Sequence, residues 1–79
     1  LRFFIYRKYR FFFFSREESR KHIHVYAPEG EAKFWIEPEV ELASQKGFTS
    51  RELREMENQI KAHEDEIRQK WQQHFGSIP

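Results

Sequence analysis

Two short alternating runs, residues 21–27 and 31–37, flank Pro28-Glu29-Gly30, an arrangement that predicts an antiparallel β-hairpin. Side chains along a strand alternate between faces, so the register decides which residues share a face. A Glu29-Gly30 turn, with Gly30 taking the positive φ, pairs Ala27 with Ala32, Val25 with Phe34 and Ile23 with Ile36 on one face. The other face then carries Tyr26 against Lys33, His24 against Trp35 and His22 against Glu37. A slip of one residue would set Val25 against Lys33 and mix the two sets. The hairpin therefore has an apolar face for a core and a face of ionisable and aromatic side chains.

Two further strands are expected at residues 2–6 and 9–14, which are rich in aromatic residues. Arg7-Lys8 is the only candidate for the turn between them, although neither residue favours a positive φ. Four consecutive phenylalanines, Phe11 to Phe14, imply that this second strand is covered on both faces. Residues 15–20 form a polar loop, and Pro38 ends the fourth strand. Residues 39–47 fit a turn, a strand or a helical segment equally well. Gly47 then breaks the chain ahead of a helix start: Thr49 at the N-cap, Glu52 closing a capping box, and Phe48 able to staple onto Leu53. Leu53, Met56, Ile60, His63, Ile67, Trp71 and Phe75 recur every three or four residues, and Gly76 ends the pattern. A helix over residues 50–75 would be about 38 Å long at 1.5 Å per residue, against a radius of gyration near ~12 Å for a compact chain of this size. Either it breaks near residues 61–65, or its far half packs on a second subunit.

The resulting expectation is one α+β domain spanning residues 1–79. Four antiparallel strands in meander order carry one long C-terminal α-helix across the Ile23/Val25/Phe34/Ile36 face. Seventy-nine residues build only a thin core, and 18% aromatic content supplies most of its area. There is no cysteine, so disulfides and cysteine-based zinc sites are excluded. No run approaches the ~20 apolar residues of a membrane span and no signal-peptide pattern is visible, so a cytoplasmic setting is expected. The opening residue is Leu1, and a short natural N-terminus is expected to precede it. The net charge is +1, yet Arg2, Arg7, Lys8, Arg10, Arg16, Arg20 and Lys21 crowd the first part of the chain. That asymmetry suits an anionic partner, nucleic acid or the acidic face of a protein, and it equally suits charged strand edges that keep the sheet soluble.

The order of motifs is specific. Tyr9-Arg10-Phe11-Phe12-Phe13-Phe14-Ser15, then His22-Ile23-His24-Val25, then Gly30-Glu31-Ala32-Lys33-Phe34-Trp35, then the Glu52-Leu53 helix start with Trp71 and Phe75-Gly76 resembles a family of small prokaryotic proteins, domain of unknown function 4160. The resemblance covers nearly the whole chain. Members often carry proline just before the His-x-His, where this chain has Arg20-Lys21, so the entry to that strand is expected to differ. The resemblance implies a gene lying beside that of another small protein, in a toxin–antitoxin-like arrangement. It implies no activity for any residue.

Three chemistries fit His22 and His24. As metal ligands they would need Glu37, a loop glutamate or a partner to complete a set, and no metal or other cofactor is expected. As an acid/base pair they could serve phosphodiester cleavage, with Arg10, Arg20 or Lys21 stabilising the anionic transition state. As structural residues, His24 would stack on Trp35 and His22 would bond Glu37. A bare His-x-His does not choose among these, so whether the chain is an enzyme stays open. The leading expectation is a protein-binding component of a two-gene module, and the alternative is a small ribonuclease using His22 and His24. Binding would engage Tyr26, Lys33, Trp35 and Glu37 on the sheet, with Trp71 and Phe75 on the far half of the helix. A homo-oligomer or a cognate small protein is the expected partner, nucleic acid is possible through the basic segment, and no membrane is expected.

Overall fold

The computed structural model describes residues 2–13 and 20–75; Phe14, residues 15–19 and Gly76 lie outside the described residues, as do the side chains of Arg2, His74 and Phe75. The class is α+β with an antiparallel sheet, but the sheet has five strands rather than four and there are two helices rather than one. The strands are β1 (Arg2–Tyr6), β2 (Tyr9–Phe12), β3 (His22–Ala27), β4 (Gly30–Trp35) and β5 (Glu41–Lys46), neighbours in sequence and in space. The helices are α1 (Ser50–Ala62) and α2 (Glu64–Phe75).

The fifth strand resolves residues 39–47. Glu-Leu-Ala-Ser-Gln-Lys has no β-branched residue and no strand propensity of its own; it is a strand because β4 offers it an edge. Two glycines make that pairing possible. Gly47 has a φ of 92°, and a Cβ on Gly30 would overlap the Lys46 carbonyl oxygen. Gly30 is therefore needed for close backbone approach and not for a positive φ. Arg7, at φ 56°, takes the left-handed turn position between β1 and β2 despite its side chain.

The β3–β4 register differs from expectation by two residues. Ala27 pairs with Gly30, Val25 with Ala32, Ile23 with Phe34 and His22 with Trp35, so Pro28-Glu29 is the turn. Proline sets φ near about −65° and lacks an N–H, which suits a turn position outside the ladder. An even shift leaves the faces intact. Ile23, Val25, Phe34 and Ile36 are all fully buried, joined by Tyr9, Phe11 and Phe13 from the strand side and by Met56, Ile60, Ile67 and Trp71 from the helices. Of the phenylalanine run, Phe11 and Phe13 enter this core, whereas Phe12 is half-buried on the other face against Tyr26.

The helix breaks at His63. Its backbone N–H donates to the carbonyls of Gln59 and Ile60, both at 3.2 Å, its Nδ1 lies 2.9 Å from the Gln59 oxygen, and its ring stacks on Phe4 at 4.4 Å. A carbonyl can only accept, so Nδ1 carries the proton. A straight helix over residues 50–75, about 38 Å long, would span the whole 37 Å long axis of the molecule; the break lets both halves follow one sheet. Trp71 consequently has partners in its own chain, Phe13 at 5.5 Å and His22 at 5.2 Å, and is 7% exposed. Of the two readings of the overlong helix, the break near residues 61–65 is the one observed, and the far half packs on its own chain. Arg68 holds α2 to the end of β4, donating 2.8 Å bonds to the Ile36 carbonyl and to Glu64.

The expected capping box is present: Thr49 Oγ1 accepts from the Glu52 N–H at 3.1 Å, and Glu52 accepts from the Thr49 N–H at 2.9 Å. That backbone bond first, and Lys8 second, hold the Glu52 carboxyl down from its ordinary 4.5 to about 2. A carboxyl depressed on folding stabilises the fold above its unfolded pKa, and that contribution fades as pH falls through the folded value. Glu52→Gln should therefore be less stable than wild type near neutrality. The gap should close between about pH 4.5 and pH 2, as thermal unfolding across that range would read.

Candidate functional site

Ladder partners share a face, so the pairing places three rows of side chains on the side of the sheet away from the helices. Ile5, Arg10, Tyr26, Glu31 and Lys46 form the first row. Phe12, His24, Lys33 and Ser44 form the second. His22, Trp35 and Glu41 form the third. Tyr26, His24, Lys33 and Trp35 are half-buried, while Arg10, Glu31, Ser44 and Lys46 are exposed. A shallow depression of about 380 Å³ lies between His24, Tyr26, Lys33, Ser44 and Lys46.

Trp35, in the third row, gathers the cations of this face. The Arg20 guanidinium lies 4.2 Å and the Lys33 ammonium 4.5 Å from its ring centroid, both within cation–π range. Arg20 is steered there by a 2.8 Å bond from its Nε to the Glu37 carbonyl and by Glu41 at 3.7 Å. Glu37 does not face His22. Its carboxylate meets Lys21 at 3.2 Å and Arg68 at 3.6 Å, tying the start of β3, the end of β4 and α2 together.

The two histidines are not equivalent. His24 is half-buried in the middle row, opposite Lys33 rather than Trp35. His22 is fully buried; its Nδ1 donates to the Arg20 carbonyl at 2.7 Å, and His24, Trp35 and Trp71 pack edge-on to it between 5.2 and 5.9 Å. The alternation of β3 assigns both rings to one face, but His22 stands at the end of the strand, where α2 brings Trp71 against it. Among the described residues, no three His, Cys, Asp or Glu side chains converge as a metal set would.

The structure thus gathers Arg20, His24, Tyr26, Lys33 and Trp35 on one surface, puts Glu37 at its border and seats His22 and Trp71 inside. The side chain of Phe75 lies outside the described residues. Ser44, Lys46 and Glu41 join this surface only through β5, and the sequence signals no strand there. Phe12 could have been found from the alternation of the phenylalanine run. No helix of the described residues is long and apolar enough to cross a membrane. No match to the chain is found among curated proteins or among solved structures. A family model does match residues 9–72, spanning β2 to β5, all of α1 and most of α2, and the chain belongs to that family, the Domain of unknown function (DUF4160).

Proposed function

We propose that the chain is a binding module, the small protein-binding component of a two-gene, toxin–antitoxin-like pair acting in the cytoplasm. The partner docks on the sheet face that carries Trp35, through an apolar patch rimmed by carboxylates. The observation that carries this reading is the Trp35 cluster: a half-buried indole between Arg20 and Lys33, with His24 in the next row of the face and Tyr26 in the row beyond. A large amphipathic ring with cations held around it is the composition of a binding hot spot, in which tryptophan, tyrosine and arginine are enriched. Arg10, Arg20, Lys33 and Lys46 outnumber Glu31 and Glu41 on this side of the sheet, which favours an acidic counterpart.

The ribonuclease reading asks His22 to exchange protons with a substrate, and a fully buried ring ordered by the Arg20 carbonyl is poorly placed for that. Co-expression with the product of the adjacent gene, followed by tagged purification, tests the proposal. A stoichiometric complex is expected from wild type, with loss of the complex from Lys33→Glu. No complex from folded wild-type protein, or cleavage of added RNA by wild type and not by His24→Ala, would overturn it.

A further inference from the structure

We propose that β5 is a self-complementary edge through which two copies of this chain pair antiparallel, joining their sheets into one of ten strands. This goes beyond the partner-binding reading and does not depend on it. Every residue of β5 is exposed, including Leu42 at 37%, and among the described residues the strand pairs only with β4. Such an edge presents unsatisfied backbone groups and is a ready template for another strand.

The order of residues in β5 suits a second copy of the same strand. A two-fold axis between Ala43 and Ser44, normal to the sheet, sets Glu41 opposite Lys46, Leu42 opposite Gln45 and Ala43 opposite Ser44, each pair occurring twice. Such an axis preserves faces, so facing residues must point to the same side. Glu41 and Lys46 are separated by an odd number of positions and would point to opposite sides of a regular strand. The bulge between Leu42 and Ser44 removes that conflict. Glu41 pairs with Trp35 and Lys46 with Glu31, both in the rows away from the helices, while Leu42 and Gln45 pair with Phe34 and Ala32 on the core side. Faces and charges are then both symmetric about the axis. A bulge often guards an edge against pairing; here it aligns a carboxylate with an ammonium. The other edge lacks this property, since antiparallel self-pairing of Arg-Phe-Phe-Ile-Tyr in β1 matches arginine with tyrosine and no opposite charges.

The pairing joins only six residues from each copy, a small contact beside the roughly 1,000 Å² of a stable interface, so the dimer is weak and concentration-dependent. Sedimentation equilibrium from roughly 10 to 500 µM covers affinities of that class. Wild type should pass from monomer to dimer within this range. In Glu41→Lys the new lysine faces Lys46 of the second copy, and in Lys46→Glu the new glutamate faces Glu41, so each variant alone should dimerise about tenfold or more weakly. Mixed together, the two variants offer two opposite-charge pairs, and the mixture should recover dimerisation near the wild-type level. That recovery also shows that both variants are folded. A wild type monomeric throughout, single variants that dimerise as wild type does, or a mixture that stays monomeric would each overturn the proposal.

Discussion

Trp71→Ala is expected to lower the stability of the isolated chain by about 3–5 kcal/mol, the cost of truncating a buried aromatic side chain. Trp71 is 7% exposed and packs edge-on against both Phe13 and His22, so its removal opens a cavity at the junction of β2, β3 and α2. Neighbours rooted in a sheet cannot close such a cavity freely. A chain of this length has on the order of 4–12 kcal/mol in total, so the variant should lose a large share of its stability and unfold at a much lower urea concentration than wild type. Urea unfolding followed by far-UV circular dichroism reads this directly. Full stability in the variant, together with loss of an oligomer, would return the far half of the helical segment to a subunit interface.

Gly30→Ala and Gly47→Ala are the second large effect, each expected to cost about 2–4 kcal/mol, the range of backbone overlap and strain. A Cβ on Gly30 would overlap the Lys46 carbonyl oxygen and come within 3.0 Å of the Gly47 Cα. A Cβ on Gly47 would overlap the Glu29 carbonyl oxygen and must also tolerate a φ of 92°. Every atom met is backbone, so no side-chain rotation relieves the clash. The two sites share one contact, and their costs should not add: once β5 has been pushed away by one methyl, the second meets less. Amide exchange should report the same event as lost protection confined to β5 and the start of β4. Additive losses spread over the whole sheet would mean that the close approach is not what the glycines provide.

The faces of the sheet were legible in the sequence and the register was not. Period-two alternation separates Ile23, Val25, Phe34 and Ile36 from His24, Tyr26, Lys33 and Trp35 under any even shift, so it separated the core face from the candidate face without fixing partners. The turn chose between registers, and the constraint that decided it, Gly30 packed against the end of β5, is tertiary. The same holds for β5, whose residues carry no strand signal before β4 is in place. The break at His63 was one of two readings of an overlong helix, and the periodic stripe runs through it unchanged because both halves face one core. His22 shows where alternation stops being informative: at a strand end, what packs beyond the sheet decides burial.

The functional surface proposed here is the Trp35 face, and not the histidine pair as such. The most direct measurement is calorimetric titration of the adjacent gene's product with wild type, with Trp35→Ala/Lys33→Glu and with His22→Ala, each affinity corrected for folded fraction. The double variant should bind about 30-fold or more weakly, the effect of losing a tryptophan hot spot, while remaining folded. His22→Ala should lose stability yet bind as wild type does per folded molecule, because its ring is buried behind that face. Wild-type affinity in the double variant, or abolished binding in folded His22→Ala, would contradict the account.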